Sequence, residues 1–260
     1  MRNIIVTVDF TENSINAARY AADMAAFIGA ELHLVHVLDY KAIHPDVPIP
    51  DYVLDEVRDK GFTDLDKLAA ELKARSRQKV CVATDLESGP VERQVREFCQ
   101  WKQPFLVVRG ASRGERPEIT RLPYPLLTIP PNAVFRQVRN IVIACDAEEI
   151  NNGMPVPLEF LARLRDLFHT HFEVLHVASR HEETATISFR EWRATLTEKF
   201  PEIHFVNAGS VDEGISEYLD HHTVDWLMVF PKKDGPFRIH KSISEKVVLH
   251  CPVPVMSIKE

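Results

Sequence analysis

The stretch NIIVTVDF at residues 3–10 decides the fold, because it returns as NIVIACDA at residues 140–147. Each copy is a short run rich in isoleucine and valine, and an aspartate, Asp9 or Asp146, follows it. A short run that is apolar at nearly every position is typical of a strand buried on both faces of a parallel sheet. Its recurrence in the second half predicts that the chain contains the same kind of sheet twice.

Further segments repeat in the same order. ELHLVHVLD (31–39) returns as HFEVLHVAS (171–179), which aligns His36 with His176, and both histidines are expected to be satisfied within the core. Later apolar runs also correspond: PFLVV (104–108) with DWLMV (225–229), and YPLLTI (124–129) with CPVPVMSI (251–258).

This repetition predicts two related domains, residues 1–135 and 136–260, joined near PPNAVFRQVR (130–139). The final strands, PLLTI and VPVMSI, are apolar and follow a proline, so we expect them to lie at sheet edges whose open backbone groups invite pairing. Their pairing would make an intramolecular pseudo-dimer and leaves a homodimer open.

Helices are expected between the strands. SINAARYAADMAAFIG (14–29) reads as an alanine-rich helix with Asn13 or Ser14 as its N-cap and Gly29 as its left-handed stop. DLDKLAAELKARSR (64–77) reads as the body of a second helix. Strands that alternate with helices indicate an α/β fold, here two tandem doubly wound parallel-sheet domains. Such sheets bind ligands beyond the carboxyl ends of their strands, where the strand order reverses.

The composition excludes several classes of protein. The chain has 260 residues, a net charge of −7 and charges of both signs, so no basic surface for nucleic acid or anionic lipid is expected. No window approaches the ~18 apolar residues of a membrane span, and the amino terminus has no leader-like pattern. We therefore expect a cytoplasmic protein whose partner is a small ligand or another protein, not a membrane or a nucleic acid.

Cysteine and histidine give no sign of a metal. The four cysteines, Cys81, Cys99, Cys145 and Cys251, form no C-x-x-C pair and are expected to be small buried hydrophobic residues. The clusters HTH (169–171) and HH (221–222) have no further ligand at helix spacing and are expected at solvated helix ends.

The strand that ends in Val-Asp, the LVHV and VLHV strands and the tail SISEKVVLHCPVPV (242–255) together resemble the universal stress protein family. The resemblance runs nearly end to end, in tandem. It implies an adenine nucleotide alpha hydrolase-like fold, frequent dimerisation through the last strand, and a role in surviving stress and starvation.

Nucleotide-binding members of this family carry G-x-x-G, followed nine residues later by G-S or G-T, after the fourth strand. In the second half Pro231 and Asp234 stand in the region of the first two glycines, and Lys241 precedes Ser242. Proline removes an N–H donor and aspartate repels phosphate, so only Ser242 and its helix start fit.

The first half departs from the pattern differently. Gly110 and Gly114 stand one residue too far apart, so an ordinary turn is the simpler interpretation. The stretch that follows them is too short for the fourth helix of the fold. The first domain is therefore expected to be degenerate, with no helix start there to meet a phosphate.

The resemblance leaves a set of candidate residues for a remnant nucleotide or anion site: Asp146, Ser242, Lys241, His240 and Asp9. The aspartates would lie near the adenosine, and the basic residues beside Ser242 could hold an anion. The alternative is that the aspartates cap the turns that follow them and that the basic loop is merely solvated.

Catalysis has no motif to support it, since the chain has no G-x-S-x-G, H-E-x-x-H, Walker loop or G-x-G-x-x-G after a strand. The sequence favours a stress-associated, non-catalytic binding or regulatory module without a conventional ATP site, and with no cofactor beyond a weakly held anion or nucleotide. The alternative is an ATP-binding, slowly hydrolysing member that uses only the second domain, with Asp146 and Ser242 as its remnants.

Overall fold

A computed structural model of the chain describes residues 2–40, 50–111, 122–144, 158–179, 202–230 and 251–258. The chain divides into two compact units, Met1–Phe135 and Arg136–Glu260, which we call unit 1 and unit 2. The pairing of the two final strands stays a prediction.

Unit 1 is a parallel sheet with helices between its strands. Its described elements are β1 (Asn3–Thr7), α1 (Glu12–Ile28), β2 (Glu31–Leu38), α2 (Asp51–Arg75), β3 (Cys81–Ser88), α3 (Val91–Lys102), β4 (Leu106–Gly110) and β5 (Leu126–Ile129). The strand order is β3-β2-β1-β4-β5, and every pairing in it is parallel. The strand order reverses at β1 and β4, which marks this pair as the switch point of the unit.

Unit 2 repeats this arrangement. Its described elements are β6 (Asn140–Ala144), α4 (Leu158–Phe168), β7 (His171–Ser179), β8 (Glu202–Ala208), α5 (Val211–His221), β9 (Trp226–Val229) and β10 (Val255–Ser257). The order β8-β7-β6-β9-β10 is again parallel throughout, and the switch point lies between β6 and β9. The predicted fold class, two tandem doubly wound α/β domains, is thus confirmed.

The central strand of each unit carries the apolar run that was predicted to be buried. Ile4, Ile5 and Val6 of β1 are fully buried, as are their counterparts at 141–143 in β6. Both flanks of β1 are hydrogen-bonded, to β2 and to β4. A strand that is enclosed in this way needs apolar side chains on both of its faces, which explains why the runs do not alternate with polar residues.

Helix α1 begins earlier than expected. Thr11 is its N-cap, and the Thr11 hydroxyl accepts a hydrogen bond from the backbone N–H of Ser14, so the assignment of the cap to Asn13 or Ser14 was wrong. Gly29 ends the helix with φ of 65° in the left-handed region, and its N–H bonds the Ala25 carbonyl, which confirms the predicted stop.

The cysteine prediction is partly wrong. Cys99 and Cys251 are buried, and burial raises the pKa of their thiols to about 12 and about 11, so both remain neutral. Cys81 is exposed because it begins β3, the outermost strand of unit 1. Cys145 lies outside the described residues.

Two glycines allow helices to approach the sheet closely. A Cβ atom on Gly110, at the end of β4, would lie 2.4 Å from the backbone oxygen of Asn13 in α1. A Cβ atom on Gly214 of α5 would lie 2.4 Å from Val177 Cγ1 on β7. Asn13 completes the first contact by donating its side-chain amide to the Ala111 carbonyl at 2.6 Å. Gly110 is therefore a packing residue of the β4–α1 contact.

We expect Gly110→Ala to lower the free energy of unfolding by about 1–3 kcal/mol, because the new methyl group meets backbone that can move only with the helix. Gly209→Ala is the matched control, since its Cβ would meet only the flexible end of Glu213, and we expect it to cost less than about 0.5 kcal/mol. Urea denaturation followed by circular dichroism measures both. Equal costs in the two variants would contradict this role of Gly110.

Candidate functional site

The switch point of unit 1 is the candidate site that the structure describes. Asp9 follows β1 at this edge, whereas the other candidates, Asp146, His240, Lys241 and Ser242, lie outside the described residues. Pro231, Asp234 and Gly114 also lie outside them, so the interpretation of their loops rests on sequence.

Asp9 is bonded to the turn that follows it. One carboxylate oxygen, Oδ1, accepts hydrogen bonds from the Thr11 backbone N–H at 3.0 Å and from the Thr11 hydroxyl at 2.6 Å. The Asp9 backbone N–H in turn donates to Ser14 Oγ at 3.3 Å. The arrangement is the turn cap that the sequence offered as the alternative to ligand contact.

The same bonds set the charge of Asp9. Partial burial raises the pKa of its carboxyl group, but hydrogen bonds from the Thr11 and Ser14 side chains and from backbone N–H groups outweigh this effect. The net result is a pKa below the ordinary value, so Asp9 is an anion at neutral pH. Its carboxylate stands at the start of α1, where the helix dipole favours negative charge.

His36 lies on the same edge, near the end of β2. Its Nδ1 is 2.7 Å from the Val8 carbonyl oxygen. Because a carbonyl only accepts, Nδ1 is the donor of this hydrogen bond. His36 is thus hydrogen-bonded as expected but only partly buried, whereas His176 in unit 2 is buried.

Phe10 was missed by sequence reasoning. Its ring is tilted against His36 with the centroids 4.7 Å apart, and its φ of 61° is rare for a bulky residue. No sequence pattern marks such a conformation, since the residue type gives no reason for it. Asp9, Phe10 and His36 together make a partly exposed, hydrogen-bonded edge.

Metal and membrane sites find no support in the described ranges. No three histidine, cysteine, aspartate or glutamate side chains among these residues are grouped to hold a metal ion. No helix of the described segments has an apolar stretch long enough to cross a bilayer.

We expect Asp9→Asn to lower the free energy of unfolding at pH 7 by about 0.5–1 kcal/mol, because the charge at the helix start is lost. The folded pKa is depressed, so this stabilisation is present above the ordinary aspartate value of 3.8 and lost as the pH falls below it. Denaturation at pH 7 and about pH 3 checks both parts. Asp59→Asn, on the exposed face of α2, is the control, and a pH-independent loss in Asp9→Asn would contradict the account.

Comparison with known proteins agrees with this fold. Residues 1–123 match the model of the universal stress protein family. No curated protein matches the chain in sequence.

Several solved structures match the chain over nearly its whole length. One is a universal stress protein from Archaeoglobus fulgidus, 18% identical, with a TM-score of 0.73 over 99% of this chain and 98% of that chain. Another is a functionally unknown protein from Pseudomonas aeruginosa, 14% identical, with a TM-score of 0.64 over 100% of this chain and 92% of that chain. At these identities the likeness shows the fold alone. Unit 1 thus carries a universal stress protein domain over residues 1–123, and the chain as a whole shares the fold of the universal stress protein from Archaeoglobus fulgidus.

Proposed function

We propose that the chain is a stress-associated universal stress protein that acts as a non-catalytic binding or regulatory module without a conventional ATP site. The observation that carries this proposal is that residues at the switch point of unit 1 are engaged in packing and in hydrogen bonds within the protein. Gly110 packs against Asn13, and the Asp9 carboxylate is bonded within its own turn.

A phosphate site needs free N–H groups at a positive helix end. At the start of α1 the Thr11 N–H bonds Asp9 and the Ser14 N–H bonds the Thr11 hydroxyl. The Asp9 carboxylate supplies the negative charge that this helix end favours. A phosphate placed here would meet a like charge, and two of the N–H donors, those of Thr11 and Ser14, are already engaged.

Unit 2 supports the proposal through its sequence. Pro231 and Asp234 replace glycines that would let backbone N–H groups approach phosphate. Ser242, flanked by Lys241 and His240, is proposed to hold at most a weakly bound anion. Asp146 would be a remnant of an adenosine contact.

The second candidate, ATP binding by unit 2 alone, is favoured by one observation. Unit 2 has the strand order of unit 1, so the ends of β6 and β9 form the place where doubly wound sheets bind ligands. The two candidates predict different affinities for ATP.

Isothermal titration with ATP distinguishes them. We expect no saturable binding, that is, a dissociation constant weaker than about 1 mM, near −4 kcal/mol. The variant Pro231→Gly/Asp234→Gly restores the two glycines and serves as the matched comparison, with tighter binding expected if the loop limits affinity. Saturable binding to the wild type with a dissociation constant of about 10 μM would contradict the proposal and favour the ATP-binding alternative.

A further inference from the structure

We propose that each unit contains a proton-operated clamp, a histidine–carboxylate pair that joins the outermost strand to its neighbour and tightens when the histidine is protonated. Unit 1 uses His33 and Asp85, and unit 2 uses Glu173 and His204. The histidine and the carboxylate have exchanged strands between the two units.

The clamp of unit 1 places one buried ring between two carboxylates. His33, on β2, is 2% exposed. Its Nδ1 lies 3.5 Å from Asp85 Oδ2 on β3, and its Nε2 lies 3.5 Å from Glu31 Oε1 on β2. Phe98 of α3 covers the ring edge-on, with the centroids 6.0 Å apart.

The clamp of unit 2 also pairs a histidine with a carboxylate beneath an aromatic ring, but its histidine side chain is 34% exposed. His204 Nε2, on β8, lies 3.5 Å from Glu173 Oε2 on β7, and Tyr218 of α5 donates its hydroxyl to the same oxygen at 2.7 Å. Tyr218 also covers the His204 ring, with the centroids 5.1 Å apart. His204 Nε2 is buried and has no hydrogen-bond partner within the described part of the chain.

The strand register shows that the two pairs are equivalent. Asp85 pairs with Val35, the second residue after His33. His204 pairs with Leu175, the second residue after Glu173. Both pairs therefore run along the same diagonal between the outermost strand and its neighbour, under an aromatic residue of the following helix.

The number of protons on the imidazole ring determines in which charge state the clamp is stronger. A carboxylate only accepts hydrogen bonds, and a neutral imidazole carries one N–H. The neutral His33 ring can therefore donate to Asp85 or to Glu31 but not to both, whereas the imidazolium donates to both and adds opposite charge. In unit 2, protonation places a donor and a positive charge at a buried nitrogen that faces Glu173.

The other elements around the two rings bring few charges of their own. Strand β1 places the apolar Ile5 opposite His33. Helix α3 brings the neutral Cys99 thiol and Lys102, whose Nζ lies 5.8 Å from the Phe98 ring centroid.

The residue that follows α5 brings a second titratable ring close to His204 in unit 2. His222 is stacked on Tyr218 at 3.9 Å and lies 5.4 Å from His204. Because a protonated His222 would oppose the charging of His204, unit 1 is the better place to test the clamp.

The clamp would act on the outermost strand of each unit, which pairs with one neighbouring strand among the described residues. Within the described residues of each unit, β3 pairs only with β2, and β8 pairs only with β7. The interval from about pH 7.5 to about pH 5.5 brackets the ordinary pKa of an imidazole, about 6.5, and stays above that of a carboxyl group, about 4. The attachment of these strands would therefore strengthen as the pH falls through that interval.

Thermal melting of the full chain at about pH 7.5 and about pH 5.5 tests the clamp. The gap in melting temperature between the wild type and His33→Gln should widen by about 2–4 °C at the lower pH. His221→Gln is the control, because His221 is exposed in the last turn of α5, where a protonated ring meets the helix end but no carboxylate partner among the described residues, so its melting-temperature gap should widen less than that of His33→Gln. A His33→Gln gap that stays constant with pH would overturn the proposal.

Two further variants keep the test decisive if His33→Gln does not fold. Asp85→Asn preserves the shape of the carboxyl group and removes its charge. The difference in melting temperature between this variant and the wild type should therefore also widen at about pH 5.5. The exchange His33→Asp/Asp85→His copies the orientation of unit 2 and should recover more of the pH response than Asp85→Asn. An exchange variant with no pH response beyond that of Asp85→Asn would contradict the equivalence of the two clamps.

Discussion

The enclosure of β1 and β6 is the constraint on which the rest of each unit depends. Each strand is hydrogen-bonded along both edges and fully buried at its central residues. Parallel neighbours can be joined only by crossovers, so helices must cover the faces of the sheet. Those helices approach closely because small residues line the contacts: alanines along α1, Gly110 at the end of β4 and Gly214 in α5.

The same close packing explains the chemistry of the candidate site. The first turn of α1 lies against the end of β4, and the Thr11 and Ser14 N–H groups there are bonded to the Asp9 carboxylate and the Thr11 hydroxyl. A glycine that looks like part of a phosphate loop is thus required by a backbone contact, and an aspartate that looks like a ligand residue caps a turn. The edge lies where doubly wound sheets bind ligands, while the described hydrogen bonds of Asp9 and Thr11 stay within the turn that starts α1.

The sequence predicted features that depend on local composition. Short apolar runs identified the strands, and Gly29 identified the end of α1. The start of α2 at Asp51 was not expected, because its first turns are mostly exposed and its N-cap, Pro50, provides no side-chain capping bond. The N-cap was misplaced because Thr11, Asn13 and Ser14 can all accept the capping bond, and only the backbone geometry selects Thr11.

Features that depend on pairing between strands were invisible in the sequence. His33 aligns with Glu173 in the repeat, and from the sequence alone the two residues look unrelated. The strand register shows that their partners, Asp85 and His204, occupy equivalent positions. Cys81 was expected to be buried because its run is apolar, but β3 is the outermost strand of its unit. Residue type alone carries no information on either point.

Native mass spectrometry of freshly purified protein tests the central claim most directly, that the fold has kept the place of a nucleotide site without its chemistry. The account predicts the mass of the chain without adenine nucleotide, in the wild type and after incubation with ATP followed by buffer exchange. A stoichiometric ATP or ADP adduct that survives exchange would contradict it.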